Sequence, residues 1–109
     1  MRKELKRVLN LTNIPNTSVK RPEDSFPYIV YTIKDFAGAF ADNKEESSKY
    51  DIYLNLYIKQ DINDTVDEIK KIMNDNGFTK VVINPPVMFD GLDYYQVTFN
   101  YTKFKANTF

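Results

Sequence analysis

From residue 49 to residue 59, apolar and polar side chains alternate one for one. Tyr50, Ile52, Leu54, Leu56 and Ile58 fall on one side, and Asp51, Tyr53, Asn55 and Tyr57 on the other. Successive side chains of an extended chain point to opposite faces, so this period predicts a strand with one apolar and one wetter face. A strand cannot pair its own backbone groups, so the rest of the chain must supply a sheet. Residues 28 to 34 are β-branched and aromatic and predict a second strand, with Ile29, Tyr31 and Ile33 on one face. Residues 78 to 83 predict a third, which Pro85-Pro86 ends or marks as a sheet edge. Residues 94 to 104 predict a fourth, in which Tyr95, Val97, Phe99 and Tyr101 alternate with Gln96, Thr98, Asn100 and Thr102. Asp90-Gly91 between the last two is a tight hairpin signal.

Two segments carry the helical period instead. Residues 2 to 12 place Leu5, Val8 and Leu9 on one stripe, with Arg2, Lys3, Lys6 and Arg7 mostly off it. Residues 65 to 76 place Val66, Ile69, Ile72 and Met73 on another. Thr65 and Glu68 fit a capping box at its start, and Gly77 sits where a left-handed C-cap is expected. Residues 13 to 26 read as an irregular connection and residues 35 to 48 as a long loop. The order α-β-β-α-β-β predicts an α+β fold: a four-stranded antiparallel sheet with two helices on one face. At 109 residues it is expected to be one domain, 1–109, burying about two-thirds of its unfolded surface.

Two helices can cover roughly one face of such a sheet. The other face should then be polar, yet it carries Tyr53 and Tyr57. Tyrosine joins an apolar ring to a wettable tip and is enriched at protein interfaces. Burial against another subunit explains that face, and so does cross-strand packing of tyrosines on a solvated sheet.

Chemistry is constrained by what the chain lacks. There is no cysteine and no histidine, which excludes disulfides, thiolate nucleophiles and the commonest general base and zinc ligand. Lys+Arg and Asp+Glu are both 15, so no net field draws in nucleic acid or an anionic membrane. Charges interrupt the N-terminus from Arg2 onward, so neither a signal peptide nor a membrane span is expected, and the chain should stay in the cytoplasm. Asp61, Asp64, Asp67 and Glu68 gather at the start of the second helix. Carboxylates there suit a hard cation, but they also suit the helix dipole, and the spacing is not that of an EF-hand loop. Arg2, Lys3, Lys6 and Arg7 suit either a phosphate or plain solvation of a helix face. Asp90 and Asp93 flank a turn, which explains Asp90 without acid–base work. No Gly-rich phosphate loop, nucleophile elbow or metal signature occurs. The expectation is no enzyme, no cofactor and no metal.

Several short segments, read in order, carry a resemblance. They are Pro27-Tyr28-Ile29-Val30-Tyr31, Ala41-Asp42-Asn43-Lys44, Tyr50-Asp51-Ile52-Tyr53-Leu54, Gly77-Phe78 and Tyr95-Gln96-Val97-Thr98-Phe99. Together they resemble the tail terminators of long-tailed phages and prophages of Gram-positive bacteria, also called tail completion or tail-to-head joining proteins. The resemblance covers roughly residues 27 to 101. It implies an α+β fold and a homo-oligomeric ring, usually hexameric, that caps the tail tube and presents a surface to the head connector. It implies partners in the tail tube and connector proteins, with no membrane and no direct nucleic-acid recognition. It implies a location in the host cytoplasm during assembly and in the tail or neck of the virion. Only Ala41, Asp42, Asn43 and Lys44 carry over as a subunit or tube contact; Tyr53 and Tyr57 join them from the sheet-face argument. The chain departs from the family pattern at Met88 to Tyr94, where an Asp-Gly turn replaces a more charged segment. Other readings stay open: another phage neck protein (head completion or minor tail protein), a monomeric bacterial protein-binding module with a pocket at Tyr53 and Tyr57, and a metal-dependent enzyme using Asp61 to Glu68.

Overall fold

The computed structural model describes residues 1–19, 26–35 and 47–106. In chain order the elements are α1 (Arg2–Asn10), β1 (Asn16–Thr17), β2 (Tyr28–Asp35), β3 (Ser47–Ile58), α2 (Ile62–Asp75), β4 (Thr79–Ile83) and β5 (Tyr95–Ala106). The fold is α+β, with two helices over one face of a sheet ordered β1-β2-β3-β5-β4. The four expected strands are all present and pair antiparallel with one another.

The expectation of four antiparallel strands needs one correction. The sheet has five strands and is mixed, because β1 runs parallel to β2 through Asn16↔Ile29 and Thr17↔Val30. Two polar residues carry no alternation, so nothing in their pattern marks a strand. Hydrogen bonding sets them there. The Pro15 carbonyl accepts from the Ile29 amide at 3.0 Å, and side chains secure the turn that leads in. Thr12 Oγ1 donates to the Leu9 carbonyl at 2.6 Å and accepts from the Ile14 amide at 3.1 Å. The Asn16 amide donates to the Ile14 carbonyl at 2.9 Å and to Asn10 Oδ1 at 3.2 Å.

The alternation of β3 holds as expected. Ile52, Leu54, Leu56 and Ile58 are buried, and Ile29 and Tyr31 of β2 and Val97, Phe99 and Tyr101 of β5 join them. The helices close this core with Leu5, Val8 and Leu9 of α1 and Ile69 and Met73 of α2.

The end of α2 is a Schellman motif. The Phe78 amide bonds the Met73 carbonyl at 3.0 Å and the Gly77 amide bonds that of Asn74 at 3.1 Å. Gly77 takes φ +86°, and Met73 and Phe78 are both buried, the apolar contact this motif favours. The start of α2 differs from expectation. The helix begins at Ile62, and its N-cap is Asp61 in the left-handed region (φ 56°), with no side-chain cap bond. The Thr65 amide reaches the Asp61 carbonyl at 3.1 Å, so Thr65 already lies inside the helix and no Thr65–Glu68 capping box forms. Moving the start forward brings Ile62 against the core.

Asp90-Gly91 forms a turn but not a tight hairpin. The Leu92 amide bonds the Phe89 carbonyl at 3.1 Å, with a positive φ at Gly91 and none at Asp90. A primed two-residue hairpin turn needs Asp90 or both central residues left-handed. Pro85 and Pro86 have no amide hydrogen to offer the ladder, so β4 ends at Ile83. Pairing resumes only at the single bridge Val87↔Gln96.

Candidate functional site

The sheet face away from the helices is the surface to which the sequence points. The register lays its residues in rows across the strands. Tyr28, Tyr57, Gln96 and Val87 form one row. Thr32, Tyr53, Asn100 and Val82 form another, with Val30, Asn55 and Thr98 between them. Asn55 is the polar hub: its Oδ1 accepts from Thr98 Oγ1 at 2.8 Å and from Gln96 Nε2 at 3.2 Å.

Tyr53 and Tyr57 both lie on this face and are half-buried. They do not converge. Four residues of strand separate them by about 13 Å, with Asn55 between. Tyr53 lies beneath the Lys34 ammonium, 5.4 Å from its ring centroid. Tyr57 packs edge-on against Tyr94 at 5.9 Å, and Tyr94 in turn packs against Phe26 at 4.9 Å. Lys59 sits over the Phe26 ring at 4.7 Å and pairs with Asp93 at 3.2 Å. Tyr57 therefore belongs to an aromatic corner at one end of the face. Phe26 and Tyr94 were not foreseen, because only folding brings residues 26, 57 and 94 together. Ala41, Asp42, Asn43 and Lys44 lie outside the described residues.

The larger unforeseen feature borders this face. Val81, Val82, Val87, Met88, Phe89 and Leu92 are all large, apolar and at least 40% exposed. A bulge between Lys80 and Val82 helps to place them there. Lys80 pairs with Tyr101 on the helix side, whereas Val82 pairs with Asn100 on the open side, and Val81 between them is left over. β4 is also an edge strand. A groove of about 490 Å³ separates it from α2, lined by Val66, Lys70, Val81, Ile83, Pro85 and other residues. A sequence signal did exist: no charged residue occurs from Val81 to Phe89.

The acids at the start of α2 do not assemble as a metal centre. Asp61, Asp64, Asp67 and Glu68 are all exposed, and among the described residues no three carboxylates converge as metal ligands would. Burial perturbs the Tyr101 hydroxyl, which desolvation pushes above its ordinary value of 10.0. It sits in the core below the sheet, away from the open face.

Among the described residues, no helix is long and apolar enough to cross a membrane. No protein-family model matches the chain, and no curated protein matches it.

Proposed function

We propose that this chain is a structural assembly protein, a ring-forming tail terminator that caps a phage or prophage tail tube and joins it to the head connector. The observation that carries the assembly reading is the run of exposed apolar side chains from Val81 to Leu92 along the β4 edge. Exposed apolar surface of this kind, set beside tyrosines, marks contact with other protein. An edge strand with unpaired backbone groups adds to it. The resemblance over residues 27 to 101 supplies the particular assembly. On this reading the chain performs no catalysis and holds no cofactor; its working parts are surfaces. Those surfaces are the Tyr53 and Tyr57 face, the apolar edge and the segment Ala41 to Lys44. Another neck protein, for head completion or a minor tail role, fits the same surfaces.

The test is to add the purified chain to polymerising tail-tube protein encoded by the same genome and measure tube lengths by electron microscopy. A terminator halts growth and decorates one end. Tubes that grow unchanged, with no end density, remove this reading.

A second reading has a specific observation behind it. The aromatic corner at Phe26, Tyr57 and Tyr94 borders a groove of about 250 Å³ lined by Phe26, Pro27, Ile58, Lys59 and Gln60. Such a corner suits a single apolar side chain of a peptide, as a binding module would require.

A further inference from the structure

The groove between α2 and β4 is longer than its apolar part. A second hollow of about 280 Å³ continues it past Lys70 and Lys80, which line both, and ends at Asn74 and Phe78. One wall is a single flank of α2. Asn63, Val66, Lys70 and Asn74 follow one another at helical spacing and so stack on one line of the helix. The other wall is β4, at the edge of the sheet. The floor is Val97 at one end and Tyr101 at the other, both from β5 and both buried.

The two ends differ in character. Toward Pro85 and Pro86 the lining is apolar, with Val66, Val81 and Ile83. Toward Asn74 it is cationic, where Lys71 joins Lys70 and Lys80. Lys80 pairs with Tyr101 on the helix side of the sheet, which sets it across the groove from Lys70. Among the described residues neither Lys70 nor Lys80 forms an ion pair, and no acid lines either hollow. Like charges set across one cleft repel, and a negative group between them turns that repulsion into attraction. β4 has a second unmet need. Among the described residues no strand lies beyond it, so the backbone groups on its outer side lack ladder partners.

We propose that this groove binds a short extended segment of another protein, which adds to the β4 edge as a strand and sets a carboxylate between Lys70 and Lys80. Edge backbone groups supply affinity in such a contact, and pockets for alternate side chains supply specificity. Every second side chain of the added strand points into the groove. The carboxylate takes the cationic end, and β-branched side chains two and four positions away take the apolar end. β4 is five residues long, so the segment matches about 17 Å of edge. Pro85 and Pro86 offer no amide hydrogen and close the edge at the apolar end. The β4 edge of a second copy is a poor occupant, because it brings another Lys80 to the same lysines. The groove is complete within one chain, so the site stands whether or not the chain forms rings.

The test uses two blocked peptides, acetyl-Glu-Thr-Val-Thr-Val-Thr-amide and its reverse, acetyl-Thr-Val-Thr-Val-Thr-Glu-amide, since a strand can add in either direction. Each carries one carboxylate on the same face as its valines. Binding to the full, isotope-labelled chain is followed by NMR up to about 1 mM peptide. One direction should shift the amide signals of β4 and of α2 residues 66 to 74. Lys70→Glu with Lys80→Glu should weaken that binding at least about tenfold, and the variant should instead take the peptide with lysine in place of glutamate. Both lysines are exposed, so the variant should fold, and its own spectrum checks this. Of two probes N-methylated at alternate amides, one should lose binding and the other keep it, because an added strand turns only alternate amides to its partner. No shift at β4 from either peptide overturns the site. Binding that survives both methylation patterns, or the double lysine change, overturns it as well. Laurate has a carboxylate and an apolar tail but no amides; tighter binding of laurate than of either peptide overturns the strand and assigns the groove to a lipid chain.

Discussion

The Lys103 ammonium donates to the Asn76 carbonyl at 2.9 Å, placing a cation at the C-terminal end of α2 from a residue on β5. The same ammonium pairs with Glu4 of α1 and lies 4.5 Å from the centre of the Phe78 ring. One side chain so ties both helices to the sheet. It is 17% exposed, which removes most of the screening that weakens surface pairs. It also serves a carbonyl that the end of a helix leaves without an intrahelical donor.

Replacing Lys103 by methionine keeps the packing volume and removes the donor. Stability should fall by about 1–3 kcal/mol in urea unfolding. Lys49→Met, at a pair 4.0 Å apart with Lys49 47% exposed, should cost less than about 0.5 kcal/mol. Equal effects would mean that Lys103 contributes nothing beyond a surface charge.

Glycine at 77 serves the same corner. A side chain there adopts a left-handed conformation, and its Cβ would stand 3.4 Å from Lys103 Nζ. Gly77→Ala should cost about 1–2 kcal/mol from the backbone strain. Gly91 has a similar φ but open space around it. Gly91→Ala should cost about the same as Gly77→Ala by thermal unfolding, because both glycines take a positive φ and the Lys103 chain end stands at ordinary contact distance from a Cβ at 77.

Much of this architecture is legible in the sequence, and the reasons differ by element. Period-two alternation in residues 49 to 59 and 95 to 101 marks β3 and β5 because each buries one face. Gly77 marks its helix end because only glycine takes φ +86° without strain. β1 is not legible, since Asn16 and Thr17 owe their place to bonds from Pro15 and Asn16's own side chain. The start of α2 misleads because Thr65 and Glu68 imitate a capping box, while Ile62 wins by reaching the core. For the candidate surface, Tyr53 and Tyr57 are legible by face. Phe26 and Tyr94 are not, being joined to Tyr57 only by the fold.

Burial of Tyr101 gives a pH dependence with a definite sign. Its folded pKa is raised above the ordinary value, so the neutral hydroxyl favours the folded state. That contribution is complete below about pH 10 and is lost as pH rises through the folded pKa. Tyr101→Phe should flatten the alkaline fall in stability above about pH 10 and leave the neutral-pH slope unchanged. An unaltered alkaline slope would show that other groups control it.

The aromatic corner is open to a direct check. Tyr57→Ala removes the edge contact with Tyr94 and should cost about 1 kcal/mol in folding. Tyr53→Ala, beneath Lys34 with no aromatic neighbour within the described contacts, should cost less. If the corner is also a peptide pocket, Tyr57→Ala abolishes peptide binding and Tyr53→Ala does not.

Assembly requires that the apolar edge along β4 be covered by protein. The direct measurement is light scattering coupled to gel filtration at two concentrations, for the wild type and for Val82→Glu with Phe89→Glu. Both sites are about half exposed, so folding should change little, by about 0.5 kcal/mol per site. The expected result is a wild-type mass that rises with concentration from 12.8 kDa toward a hexamer, and a double variant that stays monomeric. A wild type that remains a monomer at both concentrations, or a double variant that assembles as the wild type does, contradicts the claim.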